Sequence, residues 1–190
     1  MNLKIPVEVS ARHVHISQKD LDALFGKNFQ LTEDKKLSQP GDFASREKVN
    51  VKIGEKELKN VRIVGPVREK TQIEISRTDA LFLGAKPPVL LSGDLDDAAS
   101  ASLTGPVGSV EVKGLIIAKR HIHCSPEEAK TAGMSNGDVV CVKIAGERGI
   151  TFCNVPVRVA DDYKLSMHID TDEGNAAGID KTAEGEIVLK

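Results

Sequence analysis

The chain has 190 residues, 40% of them apolar and 28% charged, and carries a formal net charge of −2. That balance belongs to a globular protein able to bury one large core or two small ones. The charge signs are interspersed with no basic stripe, which argues against nucleic acid as a partner, and no apolar run reaches the length of a membrane span.

The N-terminus reads Met-Asn-Leu-Lys-Ile-Pro-Val, without the basic and apolar regions of a secretory signal. Alternation predicts a first strand at 7–10. Residues 12–17 then read Arg-His-Val-His-Ile-Ser, and Ser17 is placed to cap a helix over 19–25 with Asp20 in its first turn. Further strands are expected at 49–53, 61–64 and 72–75, punctuated by Gly54-Glu55 and Gly65-Pro66. The polar, alanine-rich stretch 96–102 reads as a loop. Strands follow at 109–112 and 115–117. Ser125 caps a second helix, with Pro126 at its first position, Glu128 as a capping-box carboxylate and an end near Gly133. Strands at 139–142 and 155–159 complete the series. Many short strands divided by turns predict β-barrels rather than a parallel sheet. Three cysteines without paired spacing, Cys124, Cys141 and Cys153, read as reduced thiols of a cytoplasmic protein.

A repeat runs through this pattern. Residues 10–17 read Ser-Ala-Arg-His-Val-His-Ile-Ser and residues 118–125 read Ala-Lys-Arg-His-Ile-His-Cys-Ser. Gly65-Pro66-Val67 is echoed by Gly105-Pro106-Val107. The expectation is two related halves, each with a strand, an HxH pair and a capped helix.

Four of the five histidines lie in the two HxH pairs. On an extended segment residues i and i+2 share a face, so His13 projects with His15 and His121 with His123. Paired imidazoles on a strand chelate a borderline metal such as zinc. Five histidines and one carboxylate make two sets of three ligands, the usual protein complement of a catalytic zinc. The fifth histidine is His168. Glu74 is the first carboxylate choice, with Asp170, Asp172 and Glu173 as alternatives. Arg68, beyond the Gly65-Pro66-Val67 turn, suits an anionic substrate because guanidinium binds phosphate oxygens in bidentate fashion.

The segments Ser10-Ala-Arg-His-Val-His-Ile-Ser17, Gly65-Pro-Val-Arg-Glu-Lys-Thr-Gln-Ile-Glu-Ile-Ser76, Leu91-Ser-Gly-Asp94, Arg120-His-Ile-His-Cys-Ser-Pro-Glu-Glu-Ala129 and Met167-His-Ile-Asp-Thr-Asp-Glu-Gly-Asn-Ala176 together resemble the phosphate propanoyltransferase family of bacterial propanediol utilisation. The resemblance implies a mainly β fold of two small barrels capped by short helices, with the first strand joining the C-terminal barrel. Residues 1–12 and 119–190 would form one barrel and 13–118 the other. It implies two zinc ions per chain, one on His13, His15 and Glu74 and the other on His121, His123 and His168. Arg68 matches the family's catalytic, phosphate-binding arginine. Val9, Ser10, Ala11, Arg62 and Asn175 fall where the family contacts coenzyme A. Glu55 stands at a further coenzyme A contact that is a lysine in some relatives, and Cys124 where methionine is expected.

The reaction implied is acyl-CoA plus phosphate to acyl phosphate plus CoA, on acetyl or propanoyl groups, by direct displacement in a ternary complex. The expected partners are these small molecules, with no nucleic acid or membrane and with room for a homo-oligomer. No microcompartment-targeting helix is expected before the first strand. A zinc hydrolase and a non-catalytic metal-binding module are the alternatives. The first would need a motif such as HxHxDH, which neither HxH pair extends to, and the second uses one HxH rather than two.

Overall fold

The computed structural model describes residues 3–188. The expectation about a targeting peptide concerns sequence outside them. In β1 (Leu3–Ser10) Ile5 and Val7 point inward, and after two residues β2 (His13–His15) carries the first HxH pair. Ser17 caps α1 (Gln18–Phe25), accepting from the Asp20 amide, so that Leu21 and Leu24 bury. β3 (Glu33–Lys36), β4 (Phe43–Ile53) and β5 (Lys56–Gly65) follow, the last two joined by the Gly54-Glu55 turn. β6 (Gln72–Ile75) runs into α2 (Arg77–Leu83), where Ser76 and Asp79 form a capping box. Next come β7 (Val89–Leu90), β8 (Ala99–Thr104), β9 (Ser109–Ala118) and β10 (His121–Cys124) with the second HxH pair. Ser125 and Glu128 box the start of α3 (Pro126–Ala132), and Gly133 ends it in the left-handed region. The chain closes with β11 (Val139–Ile144), β12 (Ile150–Val159), β13 (Ser166–Asp170), α4 (Thr171–Ala177) and β14 (Thr182–Val188).

The chain forms two compact units, one of Arg12–Ala118 and one joining the described residues up to Ala11 with those from Lys119. Each is a closed barrel. The terminal barrel runs β1-β13-β10-β12-β11-β14. The central barrel runs β4-β5-β2-β6-β9-β8 and back to β4, with β3 and β7 added at its edges. Separate cores fill them, around Leu103, Leu115 and Ile63 in the central barrel and Ile5, Ile122 and Met167 in the terminal one. Both the mainly β class and the entry of the first strand into the C-terminal barrel agree with the expected fold.

The two barrels share one pairing scheme. In each, the HxH strand is parallel to one neighbour (β5 or β12) and antiparallel to another (β6 or β13). That antiparallel neighbour is in turn parallel to a long strand, β9 in the central barrel and β1 in the terminal one. Yet along the chain β1 leads directly into β2, and β9 into β10. Each half of the chain therefore places its first strand in the other half's barrel.

Four local expectations change. Residues 99–104, inside the expected loop and just beyond it, form β8, in which Ala101 and Leu103 face the core. Strands 109–112 and 115–117 are one strand that passes through Gly114, where a Cβ would lie 2.3 Å from the Thr71 carbonyl oxygen. The Gly-Pro-Val echo marks non-equivalent places, the end of β5 and the β8–β9 turn. Finally, Cys141 and Cys153 are disulfide-bonded with Cα atoms 4.0 Å apart, because β11 and β12 lie side by side at a bulge; only Cys124 is free, and it is buried. The cysteine count thus carries no argument for a reducing compartment. Among the described residues no helix is long and apolar enough to cross a membrane.

Candidate metal centres

In the central barrel β2 pairs antiparallel with β6, and the register sets His13 opposite Glu74. Strand alternation brings His15 to the same face, and the two rings meet edge to face at 4.8 Å between centroids. His13 Nε2 lies 3.1 Å from His15 Nε2. Glu74 Oε2 is 3.7 Å from His13 Nε2, and its Oε1 is 3.7 Å from His15 Nε2. Zinc bonds of about 2.0–2.1 Å in a tetrahedron set ligand atoms about 3.4 Å apart. The three separations bracket that edge, so this donor set fits a zinc ion. His15 is buried, and desolvation, then the adjacent His13, with a smaller part from Arg68, push its pKa down to about 3 against the pull of Glu74. A neutral imidazole is the form that offers a lone pair.

Glu74 is itself held. Gln72, two residues earlier on the same face, donates from Nε2 to Glu74 Oε1 and to Ser92 Oγ (2.8 Å), and its Oε1 accepts from the Gly93 amide (2.7 Å). Arg68 enters by a backbone bond from its amide to the Ile16 carbonyl (2.8 Å), one residue beyond His15. Its partly exposed guanidinium lies 3.9 Å from Asp42 Oδ2.

The terminal barrel repeats the arrangement with a histidine in place of the carboxylate. The register sets His121 opposite His168. The His121, His123 and His168 ring centroids lie 4.5, 5.5 and 5.1 Å apart. His121 Nδ1 is 2.8 Å from the Lys119 carbonyl, which can only accept, so Nδ1 carries a proton and, in the neutral ring, Nε2 is the nitrogen with the lone pair. Ser166 Oγ lies 2.9 Å from His168 Nε2. Tyr163 stacks on His123 at 3.9 Å, with the Arg158 guanidinium 5.7 Å from the tyrosine ring. Among the described residues, only His13, His15 and Glu74 bring three ligand atoms within 4.8 Å of one another; the second set is grouped by its rings.

The arginine before each HxH pair has a matching task. Arg12 pairs with Asp79, and Arg120 with Glu173. Each carboxylate is the capping-box residue of the helix that follows the third-ligand strand. Asp170 caps α4 and Glu173 completes its box, so two of the alternative carboxylates are engaged in helix capping. The expected coenzyme A contacts divide between the units. Val9 and Ser10 end β1, Ser10 opposite Asp170, with Ala11 exposed just beyond. Asn175 lies in α4. Arg62 is on β5 opposite His13, bonded to Asp34 Oδ2 (3.0 Å) and the Ser45 carbonyl (2.6 Å). Sequence reasoning missed the bonds of Gln72, the partners of Arg12 and Arg120, and Tyr163. The i, i+2 relation of Gln72 to Glu74 and the repeated arginine were the available signals.

A family model described as phosphate propanoyltransferase matches residues 6–180. A phosphate propanoyltransferase of Clostridioides difficile is 45% identical over 98% of this chain and 90% of its own length. One from Thermotoga maritima is 49% identical over 91% of this chain and 83% of its own. One from Listeria monocytogenes is 43% identical over 98% and 88%. With residues 6–180 matched on a fold of two barrels that each gather an HxH pair and a third donor, the chain belongs to the phosphate propanoyltransferase family of acyltransferases.

Proposed function

We propose that the chain interconverts a short acyl-CoA plus phosphate with an acyl phosphate plus CoA, using one zinc ion held by His13, His15 and Glu74 and a second held by His121, His123 and His168. The observation that carries this reading is the tetrahedral-edge spacing of the first donor set in a member of that family. Zinc bound there would supply Lewis acidity and favour the thiolate form of CoA.

The protein's own groups have separable tasks. The Arg68 guanidinium binds the phosphate oxygens and offsets charge as a phosphate oxygen bonds to the acyl carbon and the C–S bond breaks. Its partial exposure leaves it accessible to a dissolved anion. Val9, Ser10, Ala11, Arg62 and Asn175 are assigned to coenzyme A. Glu55, exposed in the β4–β5 turn, offers no attraction to the nucleotide phosphates. Cys124 is fully buried with its thiol pKa raised by burial and the nearby Glu128, and the other two cysteines are disulfide-bonded. Acyl transfer is therefore direct, without a cysteinyl intermediate. The reading includes a cytoplasmic location and small-molecule partners, with room for a homo-oligomer.

The test is thiol release from propanoyl-CoA and from acetyl-CoA, with and without phosphate, while acyl phosphate is trapped as its hydroxamate. Phosphate-dependent release with stoichiometric hydroxamate is expected. Release that is independent of phosphate and gives no hydroxamate would make the protein a thioester hydrolase instead.

A further inference from the structure

Gln72 is 2% exposed, and both ends of its amide are committed. A backbone N–H can only donate, so the bond from Gly93 fixes Oε1 on that side. The NH2 group must then face Glu74 and Ser92, where both of its protons find oxygen acceptors. A donor aimed at a carboxylate fixes its rotamer. The Ser92-Gly93 turn lies well away in sequence and holds Gln72 from behind.

The terminal barrel supplies an independent parallel. Ser166 stands two residues before His168, as Gln72 does before Glu74, and its hydroxyl also meets the third donor, 2.9 Å from His168 Nε2. The pairing scheme makes β6 and β13 equivalent strands. The same position in both barrels thus carries a polar side chain bonded to the residue after next.

We infer that Gln72, clamped by Ser92 and Gly93, is a positioning residue that orients the Glu74 carboxylate toward a metal shared with His13 and His15. The inference rests on the metal reading above. Outer-shell partners of this kind typically change metal affinity about 10–100-fold.

The test measures zinc affinity by chelator competition, with cobalt(II) absorption as a second readout. It uses the full chain carrying His121→Ala and His168→Ala, so that the central barrel reports alone. Gln72→Met keeps the length of the side chain but offers no donor, and should weaken zinc about 10–100-fold. Ser92→Ala should weaken it by a smaller factor. On a Glu74→Gln background, Gln72→Met should add almost nothing, because the brace acts only through that carboxylate. Equal affinity in parent and Gln72→Met, or losses that multiply fully with Glu74→Gln, would overturn the brace alone. A parent chain that binds no zinc would remove the metal reading and the brace together. Where Gln72→Met does not fold, Ser92→Ala decides, and unchanged affinity there overturns the inference.

Discussion

On the proposed reading, variants of Arg68 and Glu74 should separate turnover from metal binding. Arginine has no lone pair for a metal, so Arg68→Ala should keep the zinc content yet lose about a hundredfold or more in kcat, and Arg68→Lys should recover only part of it because an ammonium lacks the bidentate fork. Steady-state rates at saturating phosphate, with zinc measured on the same samples, check both. Glu74→Gln should weaken central-barrel zinc binding measurably, whereas Asp172→Asn should have a milder effect. At this scale the sequence was informative where chemistry follows local geometry. Two histidines at i and i+2 on a strand had to share a face, and the rings of each pair do meet. It was silent where chemistry depends on pairing. That His13 would face Glu74, and His121 face His168, is a property of register between distant strands. Alternation placed Gln72 on the face of Glu74 but gave it no role, because its partners, Ser92 and Gly93, come from a turn that local patterning does not connect to β6.

Among the elements, an arginine–carboxylate bond ties the HxH strand of each candidate metal site to the capped helix that follows its third donor. Burial raises the Glu173 pKa, and Arg120 opposes that rise. In Arg120→Met the opposition is gone, so the Glu173 pKa should climb further, as carboxyl NMR would show. The folded state then holds a proton that the unfolded chain releases above about pH 4.5, and stability falls as pH rises through that window. The variant's deficit in denaturant unfolding should therefore be larger at pH 8 than at pH 5, reaching about 1–3 kcal/mol. In the same barrel, the Cys141–Cys153 bridge spans a sequence separation of 12, and its reduction should cost up to about 3 kcal/mol by loop entropy. Unfolding midpoints with and without reductant measure this. Two of the four helices were legible from their caps and apolar spacing. The starts of α2 and α4 carry equally good boxes, Ser76 with Asp79 and Asp170 with Glu173, but no proline marks their first turn as Pro126 marks that of α3. The β8 strand was hidden because alanine and serine alternate there with little contrast in hydropathy.

For the molecule as a whole, the mainly β class and barrel closure followed from turn-punctuated strands, but the crossing of the first strand came only through family resemblance. Local alternation cannot report that β1 lies parallel to β13. Zinc content should mirror the two barrels: about two ions in the parent chain, and about one after His121→Ala with His123→Ala, by elemental analysis. The crossing also has a consequence for the order of events on the ribosome. β1 is made first, while its neighbours β13 and β14 are made last. At about 5–20 residues per second, the interval is on the order of ten seconds. The central barrel lacks nothing once β9 has emerged and can close in that time, leaving β1 as a nascent strand awaiting its partners. Severing the chain in the Gly105–Gly108 turn would give two polypeptides, neither able to close a barrel alone, since β9 would leave with the second piece and β1 stay with the first. Co-expressed, they should copurify and regain activity through mutual donation of strands, and each expressed singly should be insoluble or unfolded.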